Sequence, residues 1–266
     1  MEKACMDIGF FDSGIGGLTV LSEAVRIMPH ENFIYYADTL HVPYGTKPKE
    51  EVKRYIFDAV SFLTGQGIKA LVIACNTATI IAINDLREKY SFPIIGIEPA
   101  VKPAVENNLN NEKRVLVLAT PLALKEEKFK SLVVRVDKKN LVDVLPAPEL
   151  VEFAESFMFD EKVIIPYFIE KLSCFNIESY GTVVLGCTHF PLFKGILRKV
   201  LPSNIEIIDG SIGTINRLKS VMEELDIINK SGIKGRIDFY MSGEKVSECE
   251  KIDRFMTLIN HCMRNG

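Results

Sequence analysis

Short, continuous apolar runs alternate along this chain with longer stretches whose apolar positions recur on one helical face. The runs "IGFFDS", "NFIYYA", "ALVIAC" and "PIIGIE" are separated by helical patterns at 17–28, 48–64 and 79–90. After Pro99 the series begins again with "RVLVLAT", a helix over 122–132, "LVDVLPA", a helix over 149–173, "TVVLGC", a helix over 190–200 and "IEIIDG". Runs that are apolar on both faces read as strands covered on both sides, and strict strand–helix alternation predicts parallel sheets. Two such series predict an α/β protein of two similar parallel-sheet domains.

Pro99 and Pro103 mark the first seam and Asp209-Gly210 the second, where turn-forming residues let the chain cross between units. The second domain is therefore expected at 98–210, and the first is discontinuous, 1–97 plus 211–266. The last stretch follows neither series: a helix over 211–225, a polar linker, a strand "RIDFYMSG" and a final helix, expected to return and complete the first sheet. A cleft between two such halves is a common place for a small-molecule site.

Two strands end alike. "VIACNTAT" places Cys75 and "VVLGCTHF" places Cys187 where a buried strand gives out, each with a Thr within two residues. Ligands of parallel sheets gather beyond the carboxyl ends of the strands. Polar residues after each Cys can cap a following helix, whose amides favour a thiolate, so each thiol is expected to exchange protons near neutral pH. A Cys ending an apolar strand is by itself often a small core residue. The repetition argues otherwise, because polar residues are a costly way to end two core strands. Facing thiols across one pocket would form an acid and a base on opposite sides of a bound carbon.

Composition narrows the partners. With 266 residues, 47% hydrophobic, the chain can bury a sizeable core, and its formal charge of −3 with lysines scattered among acids supplies no basic stripe for nucleic acid. No apolar run reaches membrane-spanning length and no signal-peptide pattern precedes "IGFF", so a cytoplasmic protein without a membrane partner is expected. Cys5, Cys75, Cys174, Cys187, Cys249 and Cys262 show no close pairing, which predicts neither disulfides nor a zinc ribbon. Oligomeric state is not readable here, and a homodimer is left open.

Other motifs add polar groups. Gly14, Gly16 and Gly17 in "FDSGIGGL" make phosphate the first guess for that turn, but the spacing fits neither a dinucleotide fingerprint nor a P-loop, and a bare strand-to-helix turn explains them as well. Asp12 and Ser13 stand at the strand end, placed to receive an ammonium group or steer a base. The loop "YADTLHVPYGTKP" carries Tyr44 and Gly45. His189 lies two residues after Cys187 and could tune its thiol; as a zinc pair it lacks third and fourth ligands, so no metal is expected.

Taken in order and at these intervals, "FDSGIGGLTVL", "YYADTLHVPYGTK", "ACNTAT", "GIEPAVKPA" and "LGCTHFPL" resemble the glutamate racemases of the bacterial cell-wall pathway, in the aspartate/glutamate racemase family. The resemblance runs over nearly the whole chain. It implies two α/β domains around a ligand pocket, no cofactor, glutamate as the small-molecule partner, and interconversion of its enantiomers by two thiols. Cys75 and Cys187 would be the paired acid and base, assisted by Asp12 and His189, with Glu155 matching a carboxylate that supports the histidine. Substrate contacts implied are Asp12, Ser13, Tyr44, Gly45 and Asn76, and beyond them Thr77, Thr120, Thr188 and His189. The chain departs from the family pattern at Ala123, where a Thr is usual, and at Glu152, where Pro is common. Three rivals remain: an aspartate racemase of the same fold, against which the "CTHFPL" wording speaks; a hydrolase with one nucleophilic Cys and His189 as base; and a catalytically silent amino-acid-binding protein, against which the intact thiol pair speaks.

Overall fold

The computed structural model describes residues 3–110 and 113–265. The first series supplies β1 (Ile8–Asp12), β2 (Phe33–Ala37), β3 (Ala70–Ile73) and β4 (Ile94–Gly96); the second supplies β5 (Arg114–Ala119), β6 (Val142–Pro146), β7 (Tyr180–Leu185) and β8 (Glu206–Asp209). The C-terminal stretch adds β9 (Ile237–Met241) and β10 (Glu244–Lys245). These form a six-stranded sheet, β10-β9-β2-β1-β3-β4, and a four-stranded sheet, β6-β5-β7-β8. Every pairing is parallel except β9 with β10. β9 pairs with β2 in the register Tyr35↔Phe239, so the last segment does return to the first sheet.

The continuous apolar runs are explained by burial on both faces. On β1, Phe10 points into a core that also holds Tyr35, Val72, Leu118 and Leu185, whereas Phe11 points to the opposite face with Tyr36, Val60 and Ile73. The first core is shared by both sheets, and a smaller one with Val117 and Val184 backs the second sheet. Each large apolar side chain so buried contributes roughly 1.5–3 kcal/mol. Helix Leu18–Ile27 packs against the helices Ser211–Glu224 and Cys249–Asn265, tying the C-terminal segment to the first sheet.

Helix boundaries depart from the sequence pattern where the site is built. The helix expected from 79 starts at Asn76, because Cys75 itself takes the extended N-cap conformation and its sulfur accepts the Ala78 amide at 3.5 Å. The helix expected over 190–200 opens as a 3₁₀ turn, Phe190–Phe193, before Lys194–Val200, so no helix amides converge on Cys187. The pattern at 122–132 divides into Pro121–Lys125 and Glu127–Val136, where Glu126 is extended. The long helix expected over 149–173 is two, Glu149–Glu155 and Glu161–Leu172. Phe157 there adopts a left-handed φ of 54°, and Asp160 restarts the helix by accepting the Lys162 amide at 2.9 Å. Phe157 and Phe159 both pack on the core, which kept the apolar pattern running through the break.

Candidate active site

Strands from both sheets end around one small space. Cys75 and Cys187, leaving β3 and β7, line it together with Ser13 after β1 and Thr120 after β5. Tyr44, Gly45, Asn76, Thr77 and His189 complete the lining that the sequence anticipated, and Val151 joins them from the helix Glu149–Glu155. The cavity volume is about 10 Å³, room for about one water molecule. Asp12, Thr188 and Glu155 stand behind this lining, Glu155 bonded to His189 and Thr188 to Asp12. A larger groove of about 720 Å³, bordered by Ser22, Leu192, Ile207 and Leu258, contains neither thiol.

The two thiols have different neighbours. Cys187 Sγ lies 3.7 Å from His189 Nδ1, and His189 Nε2 lies 2.6 Å from Glu155 Oε1. Glu155 Oε1 also accepts the Ile15 amide at 2.7 Å. Burial works against an imidazolium at His189, but hydrogen bonds and charge from Cys187 and Glu155 outweigh it and hold the pKa well above the histidine range. With an acceptor facing each ring nitrogen, the doubly protonated ring satisfies both.

Cys75 has no such partner. Its thiol donates to Ser13 Oγ at 3.8 Å. Burial pushes its pKa well above the usual thiol value, reinforced by the nearby charges of Asp12 and Cys187; the Ala78 amide and Ser13 hydroxyl pull the other way and lose. For Cys75 the expectation that helix amides would bring the thiol toward neutral pH is therefore corrected. At Cys75 desolvation wins, and at Cys187 an imidazole stands where helix amides were expected.

Asp12 links the halves. Its Oδ2 accepts the Gly17 amide at 2.6 Å and its Oδ1 the Thr188 hydroxyl at 3.5 Å. Burial raises its carboxyl from 3.8 to about 6, with His189 and the amides of Gly17 and Ser13 opposing the rise and Glu155 adding to it.

The glycine turn is not a phosphate cradle. A Cβ on Gly14 would lie 1.8 Å from Glu155 Oε1, and one on Gly16 would lie 2.5 Å from His189 Nδ1. These glycines clear the way for side chains arriving from the other sheet, and none of them has the left-handed φ of Gly67, Gly232 or Gly243.

Asn76 is 3% exposed and lines the cavity, yet neither its Oδ1 nor its Nδ2 has a hydrogen-bond partner among the described residues. A buried amide left so is costly unless a ligand completes it. Thr77 and Thr120 share a hydroxyl contact at 3.0 Å, and Thr120 caps the next helix by accepting the Ala123 amide at 3.4 Å. Ala123 is buried outside the cavity lining, and Glu152 faces solvent.

Three supporting residues escaped the sequence reading. Val151 is one. Tyr35 donates its hydroxyl to Gly14 O at 2.6 Å, and the Thr19 hydroxyl bridges Gly16 O at 2.8 Å and Thr188 O at 3.1 Å. For Tyr35 and Thr19 the available signal was a polar tip inside an apolar element, and Val151 gave none. Among the described residues no group of three or more His, Cys, Asp or Glu is arranged to hold a metal ion, and no helix is long and apolar enough to cross a membrane.

A family model described as Asp/Glu/Hydantoin racemase matches residues 18–216. A glutamate racemase of Halothermothrix orenii is 58% identical over 240 residues, covering 90% of this chain and 94% of that protein. Glutamate racemase 2 of Bacillus subtilis is 55% identical over 253 residues, covering 95% of each. Among solved structures, the glutamate racemase of Francisella tularensis in complex with D-glutamate superposes with a TM-score of 0.79 at 27% identity, covering 98% of this chain and 94% of that one.

Proposed function

The chain belongs to the Asp/Glu/hydantoin racemase family, and from that premise we propose that it interconverts L- and D-glutamate by proton transfer at the α-carbon between two thiols. The observation that carries this reading is that Cys75 and Cys187, from the ends of strands in different sheets, line one cavity. The 1–97 plus 211–266 and 98–210 units are read as two domains that part to admit substrate, since the closed cavity is far smaller than an amino acid.

The resting protonation follows from the surroundings. Cys187, 3.7 Å from the His189 imidazolium, is assigned the part of the proton-abstracting base, and Cys75, which burial and Asp12 keep protonated, that of the thiol. From one enantiomer, Cys187 removes the α-proton while Cys75 delivers its own to the opposite face. The enzyme is left with Cys75 as thiolate and Cys187 as thiol, and the reverse passage restores the first state. In a substrate complex each sulfur should sit about 3–3.5 Å from its reacting partner, which sets the two sulfurs roughly 6–8 Å apart.

The hard step is placing charge beside a carboxylate. Asn76, Thr77 and Thr120 offer amide and hydroxyl donors for that developing charge in a water-poor site, while Asp12, just behind the Ser13 lining, supplies the negative charge that favours the ammonium group. No cofactor is invoked. In the cell the product would serve the cytoplasmic assembly of peptidoglycan precursors.

One observation favours a second reading. Cys187, His189 and Glu155 form a nucleophile, a base and an orienting carboxylate, as a cysteine hydrolase would. That reading makes Cys75 dispensable. Incubation of separate enantiomers in deuterium oxide decides: loss of optical rotation should accompany one deuterium at the α-carbon, and Cys75→Ser and Cys187→Ser should each lower racemisation by about 10²–10⁴. Full activity in Cys75→Ser would overturn the two-thiol mechanism, and faster exchange of aspartate than glutamate would overturn the substrate.

A further inference from the structure

The loop after β2 holds a buried aspartate that this chemistry does not use. Asp38 is 3% exposed and outside the cavity lining. Its Oδ2 accepts the Tyr44 hydroxyl, its Oδ1 accepts the Ser242 hydroxyl at 3.2 Å, and His41 Nδ1 lies 2.8 and 2.9 Å from the two oxygens. Its amide donates to Asp12 O at 3.0 Å, so Asp38, directly after β2, is tied to the end of β1.

Each donor fixes a different part of the loop. Ser242 belongs to the turn between β9 and β10; its amide donates to Ala37 O at 2.8 Å and its hydroxyl accepts the Leu40 amide at 3.0 Å. His41 stacks on Tyr55 with ring centroids 3.6 Å apart. Tyr44, whose ring packs beside Phe11, lines the thiol cavity. With the Tyr44 hydroxyl turned to Asp38, Tyr44 and Gly45 are held together in the lining of the cavity. Gly45 sits so near the second sheet that a Cβ there would lie 2.5 Å from Thr120 Cβ. A shift of this loop therefore reshapes the cavity directly.

We propose that Asp38 is a positioning residue of the substrate pocket, which gathers Tyr44, His41 and Ser242 so that the C-terminal turn between β9 and β10 locks the Tyr44–Gly45 wall in place. The C-terminal return thus serves substrate binding as well as sheet completion. A buried carboxylate is expensive to desolvate, and three donors on one carboxylate compensate only if all hold the same geometry. In Asp38→Asn one oxygen becomes an NH₂ group that meets donors, and the wall loosens.

This inference rests on the proposed racemisation, and its test separates the two. D-glutamate affinity by calorimetry, with KM and kcat for exchange in deuterium oxide, is measured for the parent, Asp38→Asn, Tyr44→Phe and the double variant. Asp38→Asn should raise Kd and KM about tenfold with kcat within about threefold. In the Tyr44→Phe background the same change should add less than about twofold, because the coupling runs through that hydroxyl. An unmoved Kd at an unchanged Tm, or a full effect persisting in Tyr44→Phe, overturns the proposal. Should Asp38→Asn fail to fold, Ser242→Ala removes one outer donor only; Kd should then rise about threefold, and an unchanged Kd overturns it equally. Absence of exchange in the parent would sink the proposed function instead.

Discussion

Cys75 and Cys187 end equivalent strands, but burial keeps Cys75 a thiol whereas Cys187 faces the His189 imidazole. The asymmetry is set by Asp12 and Ser13, which reach Cys75 from the end of β1, and by His189, two positions after Cys187, with Glu155 arriving behind it from another helix. Asp12 is the residue whose titration is most open to measurement. Its carboxyl is raised from 3.8 to about 6 by burial, so the folded chain holds that proton more tightly than the unfolded one. The stability this supplies is complete below about pH 4 and is lost as pH rises through about 6, by an amount of about 3 kcal/mol. Asp12→Asn has no proton to lose. Between about pH 4 and 7 the parent's Tm should therefore fall relative to that of Asp12→Asn, and parallel profiles would show that Asp12 titrates as an ordinary exposed carboxylate.

At the scale of elements, the strands were legible because both faces are buried and the apolar runs are uninterrupted, as at 70–74 and 182–185. Helix ends were not, because their caps are unusual. A sulfur caps at Cys75, and Phe157 bends the chain with a left-handed backbone that its side chain gives no warning of. That bend matters to the site, since it ends the helix at Glu155 just where the carboxylate meets His189. The thiols, Asp12 and His189 were readable from strand ends and spacing, whereas Val151, Tyr35 and Thr19 were hidden among core residues of the same types. The resemblance also singled out Ala123 as a missing hydroxyl. Ala123 occupies the first turn of Pro121–Lys125, 1% exposed and away from the cavity. Ala123→Thr should leave KM for glutamate within about twofold and lower stability by about 1–3 kcal/mol through overpacking. A fall in KM of about fivefold or more would mean that the hydroxyl reaches bound substrate.

For the whole molecule, the decisive feature is closure. Two sheets share one core, and side chains from the second occupy the space left by glycines of the first, so the halves fit together through Gly14–Glu155 and Gly16–His189. No periodicity in the sequence encodes that fit, because it is a relation between residues far apart in the chain. A cavity of about 10 Å³ cannot admit an amino acid, so the proposed racemisation requires an opened form. Cysteine alkylation reads that opening directly. Cys5, Cys174 and Cys249 are exposed and should react with iodoacetamide as free thiols do. Cys262, with its pKa pushed up to about 12 by burial and by Asp209 and Glu23, should lag because little thiolate forms. Cys75 and Cys187 are buried, so their labelling should be limited by the rate of opening. Of the two, Cys75 should lag, since burial and Asp12 keep its thiol protonated. Glutamate should slow both and leave the exposed three unchanged, as followed by mass spectrometry of the digested protein. Labelling of Cys75 and Cys187 as fast as Cys174, and indifferent to glutamate, would mean that the resting protein is open and that the small cavity is not where substrate binds.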